Sequence, residues 1–504
     1  MKFSFLIFGL ILFAEILSFL AYPSPLAMAI LLGIVAAVVL IISIIDLRYG
    51  LAVAFTELFI SGFGQLFYFQ FSGFKLSVRM AIFIAICLSF IYFIIKEKRV
   101  IFFKSRLFKS FFLLCLFLLF GFFRGFWTEQ NFKDIFFDFN SFIFLFYFFP
   151  FYQAFKKKED WKIIGRVFSS SIFWIALKTL IIFILFVSGF TTIGSGFYKW
   201  IRDTGAGEIT LLNNGLYRVF LQSQIYLVLA WLIMASNHLI SKSNWIMGAF
   251  PKSYRQISSW LPKKLEALYG AFIFSALILG LSRSFALGLA VAFLFLMYFS
   301  IIFLRSQTRQ AVRVLILAIL SILGGLGLIF VLTYIFHPKH NPFAAFSMIY
   351  NRSVVSVSGD AAINTRYAEL SPLLNVIKER WFFGYGFGKK ITFTTSDPRF
   401  LENHPDGVIQ TYAFEWGWLD LILKIGVLGA LAFIYFLWTI FIFLAKSLRC
   451  EFFKLNNNSD GFLKLGFLSF LAALIVVHIF TPYLNHPLGL GWLVLTGWIT
   501  ERKK

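Results

Sequence analysis

Blocks of continuous apolar residues follow one another from the N-terminus to about residue 336, each long enough to cross a hydrocarbon core about 30 Å thick. They predict helices, because backbone groups in lipid must pair within a helix or a closed barrel, and barrel strands would alternate apolar and polar positions. The predicted spans lie at 3–21, 25–45, 51–68, 79–95, 110–126, 142–155 and 167–188. Further ones follow at 220–240, 267–282, 285–304, 314–336, 418–445, 462–481 and 486–500. Residues 337–417 form the single long polar stretch, and Trp418 opens a fresh apolar run. The chain therefore divides into 1–336 with about eleven spans, a large loop at 337–417, and 418–504 with about three more. The fold class is an all-α polytopic membrane protein with about 12–14 transmembrane helices.

Composition agrees: 60% of the 504 residues are hydrophobic and only 14% are charged, which excludes a soluble globule. A net charge of +23 would suit a nucleic-acid binder, but its distribution argues for another origin. Lys96, Lys98, Arg99, Lys104, Arg106, Lys156–Lys158, Lys162, Arg166, Lys252, Arg255, Arg305, Arg309, Lys446, Arg449 and the ERKK tail fall in alternate short loops. That bias is the positive-inside signature, so the charge reports orientation. Both termini are expected inside and residues 337–417 outside. The first apolar run is too long for a signal-peptide core, and a second span overlaps the Ala27-Met28-Ala29 site, so it reads as an uncleaved span. Glu15, Glu57 and Lys178, inside spans, are expected to face the bundle and pair.

Cys87 and Cys115 lie in spans and Cys450 in an inner loop, which leaves no outer disulfide or cysteine metal cluster. Neither H-E-x-x-H nor D-x-D occurs, so no metal site is expected, and no internal repeat suggests a transporter of inverted halves.

The informative polar groups lie on the outer side. Residues 127–141 read as an interfacial amphipathic helix. Arg218 stands at the mouth of the span it introduces. Arg283 sits in a turn that is little more than Ser282-Arg283-Ser284, which either lets the side chain snorkel to water or fixes a guanidinium fork for phosphate oxygens. In the loop, a helix capped by Ser358 or Asp360 should run to about Arg380, with Arg366, Leu370, Leu374, Ile377 and Trp381 on one stripe and a bend at Pro372. Gly384-Tyr385-Gly386-Phe387-Gly388 reads as a flexible turn, since no strand precedes it. At the re-entry, Glu415 is the base candidate, with His404 and Asp406 nearby and Glu402 weaker. Its plain alternative is an interfacial carboxylate paired with Lys424 or an Arg. Asp420 and Lys424 suit an i,i+4 pair, and Gly426 and Gly429 suit close helix packing.

Cations with a carboxylate suit transfer from a lipid-linked pyrophosphate. Fixed guanidinium groups stabilise the leaving phosphate, and a base takes the acceptor proton. The stretches NGLYRVFLQSQIY, LSRSFALGL, NTRYAELSPLL, FFGYGFG and EWGWLDLILKIGVLGAL, in that order, resemble the O-antigen ligase and polymerase superfamily of bacterial envelope glycosyltransferases. The resemblance covers about residues 210–445. It implies a GT-C-like membrane fold with one large periplasmic loop in the bacterial inner membrane. It also implies metal-independent transfer of a glycan from undecaprenyl pyrophosphate to a glycan or a lipid A-core acceptor, without a cofactor. Arg218, Arg283 and Arg366 match the pyrophosphate-binding positions by order. Ligases of the family commonly carry His-Asn a fixed step before a G-x-x-G, and counting back from Gly426 reaches Glu415-Trp416, which tilts the reading toward a polymerase. The alternatives are a polysaccharide flippase or other transporter and a non-catalytic assembly partner. A transporter would place charges at the midplane and show repeated halves.

Cysteine-accessibility labelling checks the topology. Single cysteines within 337–417 should react with an impermeant reagent from the periplasm while those within 156–166 stay shielded; the reverse pattern would overturn the orientation.

Overall fold

The computed structural model of the chain describes residues 2–71, 74–157, 160–212, 215–240, 261–302, 308–336, 361–397, 401, 405–453 and 461–501. The architecture is helical throughout its apolar part. Ten described helices are long and apolar enough to cross a membrane by length and composition, and Leu265–Gly280 is a shorter apolar stretch. The remaining core helices are short: Leu47–Ile60, Ile225–Ile240 and Pro487–Glu501. Most expected spans coincide with a helix or with part of one; that at 142–155 is a 3-10 helix, Asn140–Tyr147, followed by the short helix Phe148–Ala154.

Local chemistry sets the boundaries. Ser24 accepts the Ala27 N–H and Pro25 opens the helix Pro25–Ile45, while Asp46 ends that helix and caps the next. The span expected at 51–68 stops at Ile60, because Ser61, Gly62 and Gly64 break it, and Tyr68–Phe71 pairs with Phe74–Ser77 as an antiparallel hairpin. Two further hairpins, Gly207–Leu211 with Tyr217–Leu221 and Ile391–Thr394 with Val408–Thr411, stand at the same pole as the loop. The opposite pole is closed by ion pairs, Arg48 to Asp160 at 2.7 Å and Lys156 to Glu97 at 3.0 Å. The buried charges within the bundle are paired as expected: Lys178 with Glu15 at 2.6 Å and Glu57 with Arg79 at 2.9 Å. The core centres on Pro487–Glu501, buried along nearly its whole length, and on Gly461–Phe480 beside it.

The long helix Gly417–Phe453 is broken at Gly426, where φ is +70°. A break inside an apolar bundle strands carbonyls on one side and N–H groups on the other. The glycine segment supplies partners for both. Tyr385 N–H donates to the Leu423 carbonyl at 2.7 Å and Gly386 N–H to that of Lys424 at 3.0 Å, while Val427 N–H donates to the Trp381 carbonyl at 2.9 Å. On its far side the segment lies against the helix Phe108–Trp127, where Phe387 N–H donates to the Gly121 carbonyl at 3.1 Å and Arg124 donates to the Gly384 carbonyl at 2.6 Å. Space is the reason for the glycines. A Cβ on Gly386 would stand 2.2 Å from the Gly125 nitrogen and one on Gly426 2.2 Å from the Phe382 oxygen, with positive φ at both. Residues 384–388 are thus a packed wedge, with Phe387 wholly buried, and not the flexible turn expected from sequence.

Candidate active site at the loop pole

The loop helix runs Ala361–Glu379, continuous through Pro372. Its proposed caps, Ser358 and Asp360, lie outside the described residues. The buried stripe is rotated by one residue from the expected one: Thr365, Glu369, Leu373 and Ile377 face inward, while Trp381 is 53% exposed. Leu373 and Ile377 pack with Ile391, Phe414 and Leu423, which ties the loop's own core to the re-entry helix. Arg366 consequently stands at the edge of the stripe, facing the re-entry.

There it meets Glu415. The Arg366 Nε donates to Glu415 Oε2, with the two side chains 30% and 41% exposed. The Trp416 indole donates to the Arg366 carbonyl at 3.0 Å, and Glu415 N–H donates to Glu369 Oε1 at 3.0 Å. The carboxylate expected as base is therefore held, half-open to water, by one of the expected cations. His404 and Glu402 lie outside the described residues. Asp406 accepts the Val408 N–H at 3.2 Å and shapes its own turn.

Arg283 opens the helix Arg283–Ile302. Leu281, at φ +43°, makes the turn, and Ser282 Oγ accepts the Phe285 N–H at 3.4 Å. Arg218 Nε donates to the Gly280 carbonyl at 2.9 Å, and its guanidinium lies 4.9 Å from the Phe220 ring centroid, so both arginines flank one turn. This turn and the Arg366–Glu415 pair border the same stretch. Ser284 Oγ lies 3.4 Å from Thr481 Oγ1, and the Trp416 and Phe480 rings are 6.1 Å apart.

Beneath the pair lies a cluster that sequence reasoning half foresaw. Lys424 bridges to Asp420 at 2.6 Å, the expected i,i+4 pair, and also to Asp138 at 2.5 Å. Asp138 Oδ2 accepts the Gly388 N–H at 2.9 Å, and Asn485 Nδ2 donates to Asp420 Oδ2 at 2.9 Å. All three ionisable groups are buried. Asp138 belongs to the stretch read as an interfacial amphipathic helix, and the helix Phe132–Phe139 does form there. Its acidic side faces into the protein, because a cation two hundred and more positions away completes it. One ammonium shared by two carboxylates, with their other oxygens hydrogen-bonded, satisfies the condition under which buried charge persists.

The fold and site define a multi-pass membrane protein whose loop helix, glycine wedge and broken re-entry helix bring a carboxylate and a guanidinium together at one pole. Residues 268–434 match the family model described as O-antigen ligase, inside the stretch that carries the resemblance. The match takes in Arg283, Arg366, the glycine wedge, Glu415 and the break at Gly426; Arg218 precedes it. No curated protein and no solved structure shows a match to the chain.

Lys424→Met leaves two buried carboxylates unpaired and should destabilise the protein by about 3–5 kcal/mol, the usual cost of breaking a buried pair from one side. Asp138→Asn keeps a one-to-one Lys424–Asp420 pair and should cost less. Thermal unfolding of the purified variants in detergent reads the order; equal and negligible losses would show that the cluster carries no such energy.

Proposed function

We propose that the protein is a glycosyltransferase of the bacterial inner membrane that moves an oligosaccharide or polysaccharide from undecaprenyl pyrophosphate to a glycan acceptor, or to lipid A-core, on the periplasmic face. The observation that carries this reading is the half-exposed Arg366–Glu415 pair beside the Arg283 turn, within the region matched to O-antigen ligases. The acceptor hydroxyl oxygen attacks the anomeric carbon of the donor sugar, the carbon–oxygen bond to the pyrophosphate breaks, and the lipid pyrophosphate leaves with the electron pair. Glu415 takes the hydroxyl proton. Arg283 and Arg218, on either side of one turn, hold the phosphate oxygens and stabilise the growing charge, the work a metal would otherwise do. Arg366 has two anionic partners to choose between. An arriving pyrophosphate draws the guanidinium toward itself and loosens Glu415, so donor binding exposes the base.

Arg283 gives the sharpest test. Arg283→Ala should lower donor affinity about 10–100-fold, the worth of a charge-assisted hydrogen bond or two. Arg283→Lys, which keeps the charge and loses the fork, should recover little of it. Donor binding and glycan assembly would be measured in membranes at matched protein levels; survival of both in Arg283→Ala would refute phosphate binding there.

A further inference from the structure

The base candidate is fixed at more than its side chain. Arg366 and Glu369 stand one turn apart on the loop helix, and between them they bind Glu415 through its carboxylate and its backbone N–H. Trp416 adds the third bond, to the Arg366 carbonyl. Glu369 differs from its neighbours in exposure: it is only 3% exposed and heads the inward stripe of Leu373 and Ile377, whereas Arg366 and Glu415 are open to water. A backbone N–H needs an acceptor there, but it does not need a charge.

We propose that Glu369 is a positioning residue of this site: its buried carboxyl, bonded to the Glu415 backbone from the turn that carries Arg366, keeps carboxylate and guanidinium in register. Burial pushes this carboxyl up to about 8; the Glu415 and Asp420 carboxylates push the same way, while the Glu415 N–H and the Arg366 charge oppose. Near pH 7 Glu369 is therefore protonated, and the single charge of Arg366 is matched by Glu415 alone. Above about pH 8 a second carboxylate would compete for that guanidinium. The sign for stability follows. The folded state holds the proton to about pH 8, whereas the unfolded chain releases it near the ordinary 4.5, so this group's contribution to stability falls as pH rises between those values and then levels.

Glu369→Gln keeps an acceptor oxygen and cannot ionise; Glu369→Leu loses the acceptor. The melting temperature of each detergent-purified protein would be followed from about pH 5 to about pH 9. The Gln variant should gain on the unsubstituted protein steadily up to about pH 8 and hold its advantage beyond. A difference that stays flat with pH would overturn the neutral, buried carboxyl. This reading needs no transfer activity, so it survives or fails apart from the proposed function on which the next one rests. In single-turnover transfer at pH 7 the Gln variant should stay within a few-fold of the unsubstituted protein and lose less rate at pH 9, whereas the Leu variant should fall about tenfold or more, the worth of one buried hydrogen bond. A Gln variant as inactive as the Leu variant would mean that the carboxylate itself is required; a fully active Leu variant would mean that Glu369 positions nothing. If the Leu variant does not fold, the Gln pH profile alone decides.

Discussion

A helix broken inside an apolar bundle must find hydrogen-bond partners for the groups it frees, and in this protein that one requirement organises the functional pole. The break at Gly426 frees the Leu423 and Lys424 carbonyls and the Val427 N–H, and residues 381–386 meet them. Because those residues continue directly from the loop helix, satisfying the break also docks the loop onto the membrane helices. The wedge reaches the break only because Gly384, Gly386 and Gly388 adopt positive φ, and because Gly121 and Gly125 clear its path on the neighbouring helix. Backbone satisfaction and loop placement are thus the same event.

The charges around the break follow from it. The short half-helix from Gly417 to the break brings Asp420 and Lys424 inward, and the wedge presents the Gly388 N–H to Asp138, which completes the buried cluster. Above this fixed base, Arg366 and Glu415 remain partly open to water, and Arg218 and Arg283 flank a turn at the edge of the same helical stretch. The division suits the proposed transfer: the buried ions tie the scaffold together, and the partly open pair is the one that an anionic donor could reach.

Most of the scaffold was legible in the chain, because long apolar runs have one solution in lipid. The helix Pro25–Ile45 coincides with its expected span, and others shift by a few residues where a cap or glycine intervenes. Arg283 stands out in the chain as an ionisable group pinned between apolar runs, and Glu415 as a carboxylate where the polar loop gives way to one. What escaped depended on distant partners. Asp138 looked like the polar side of a surface helix, and nothing local says that Lys424 lies opposite it. Glu369 was hidden by a one-residue rotation of the loop-helix stripe, since the sequence periodicity favoured the residues around Arg366 and the tertiary contacts chose Thr365, Glu369, Leu373 and Ile377. The glycine wedge carries a signal, five alternating positions with glycine at each end, that by itself suggests flexibility; close packing against Gly121 and Gly125 holds it in place instead.

Glu415 is where the account is most exposed. The direct measurement is a single-turnover assay with a defined lipid-pyrophosphate glycan donor and its acceptor, comparing the unsubstituted protein with Glu415→Gln, alongside equilibrium binding of the donor. Removal of a general base typically costs 10²–10⁴-fold in rate. The expected result is a loss of that size in Glu415→Gln with donor affinity unchanged or somewhat raised, because Arg366 no longer has a carboxylate to leave. A variant that binds donor and still transfers at a large fraction of the original rate would contradict the assignment of Glu415 as the group that activates the acceptor.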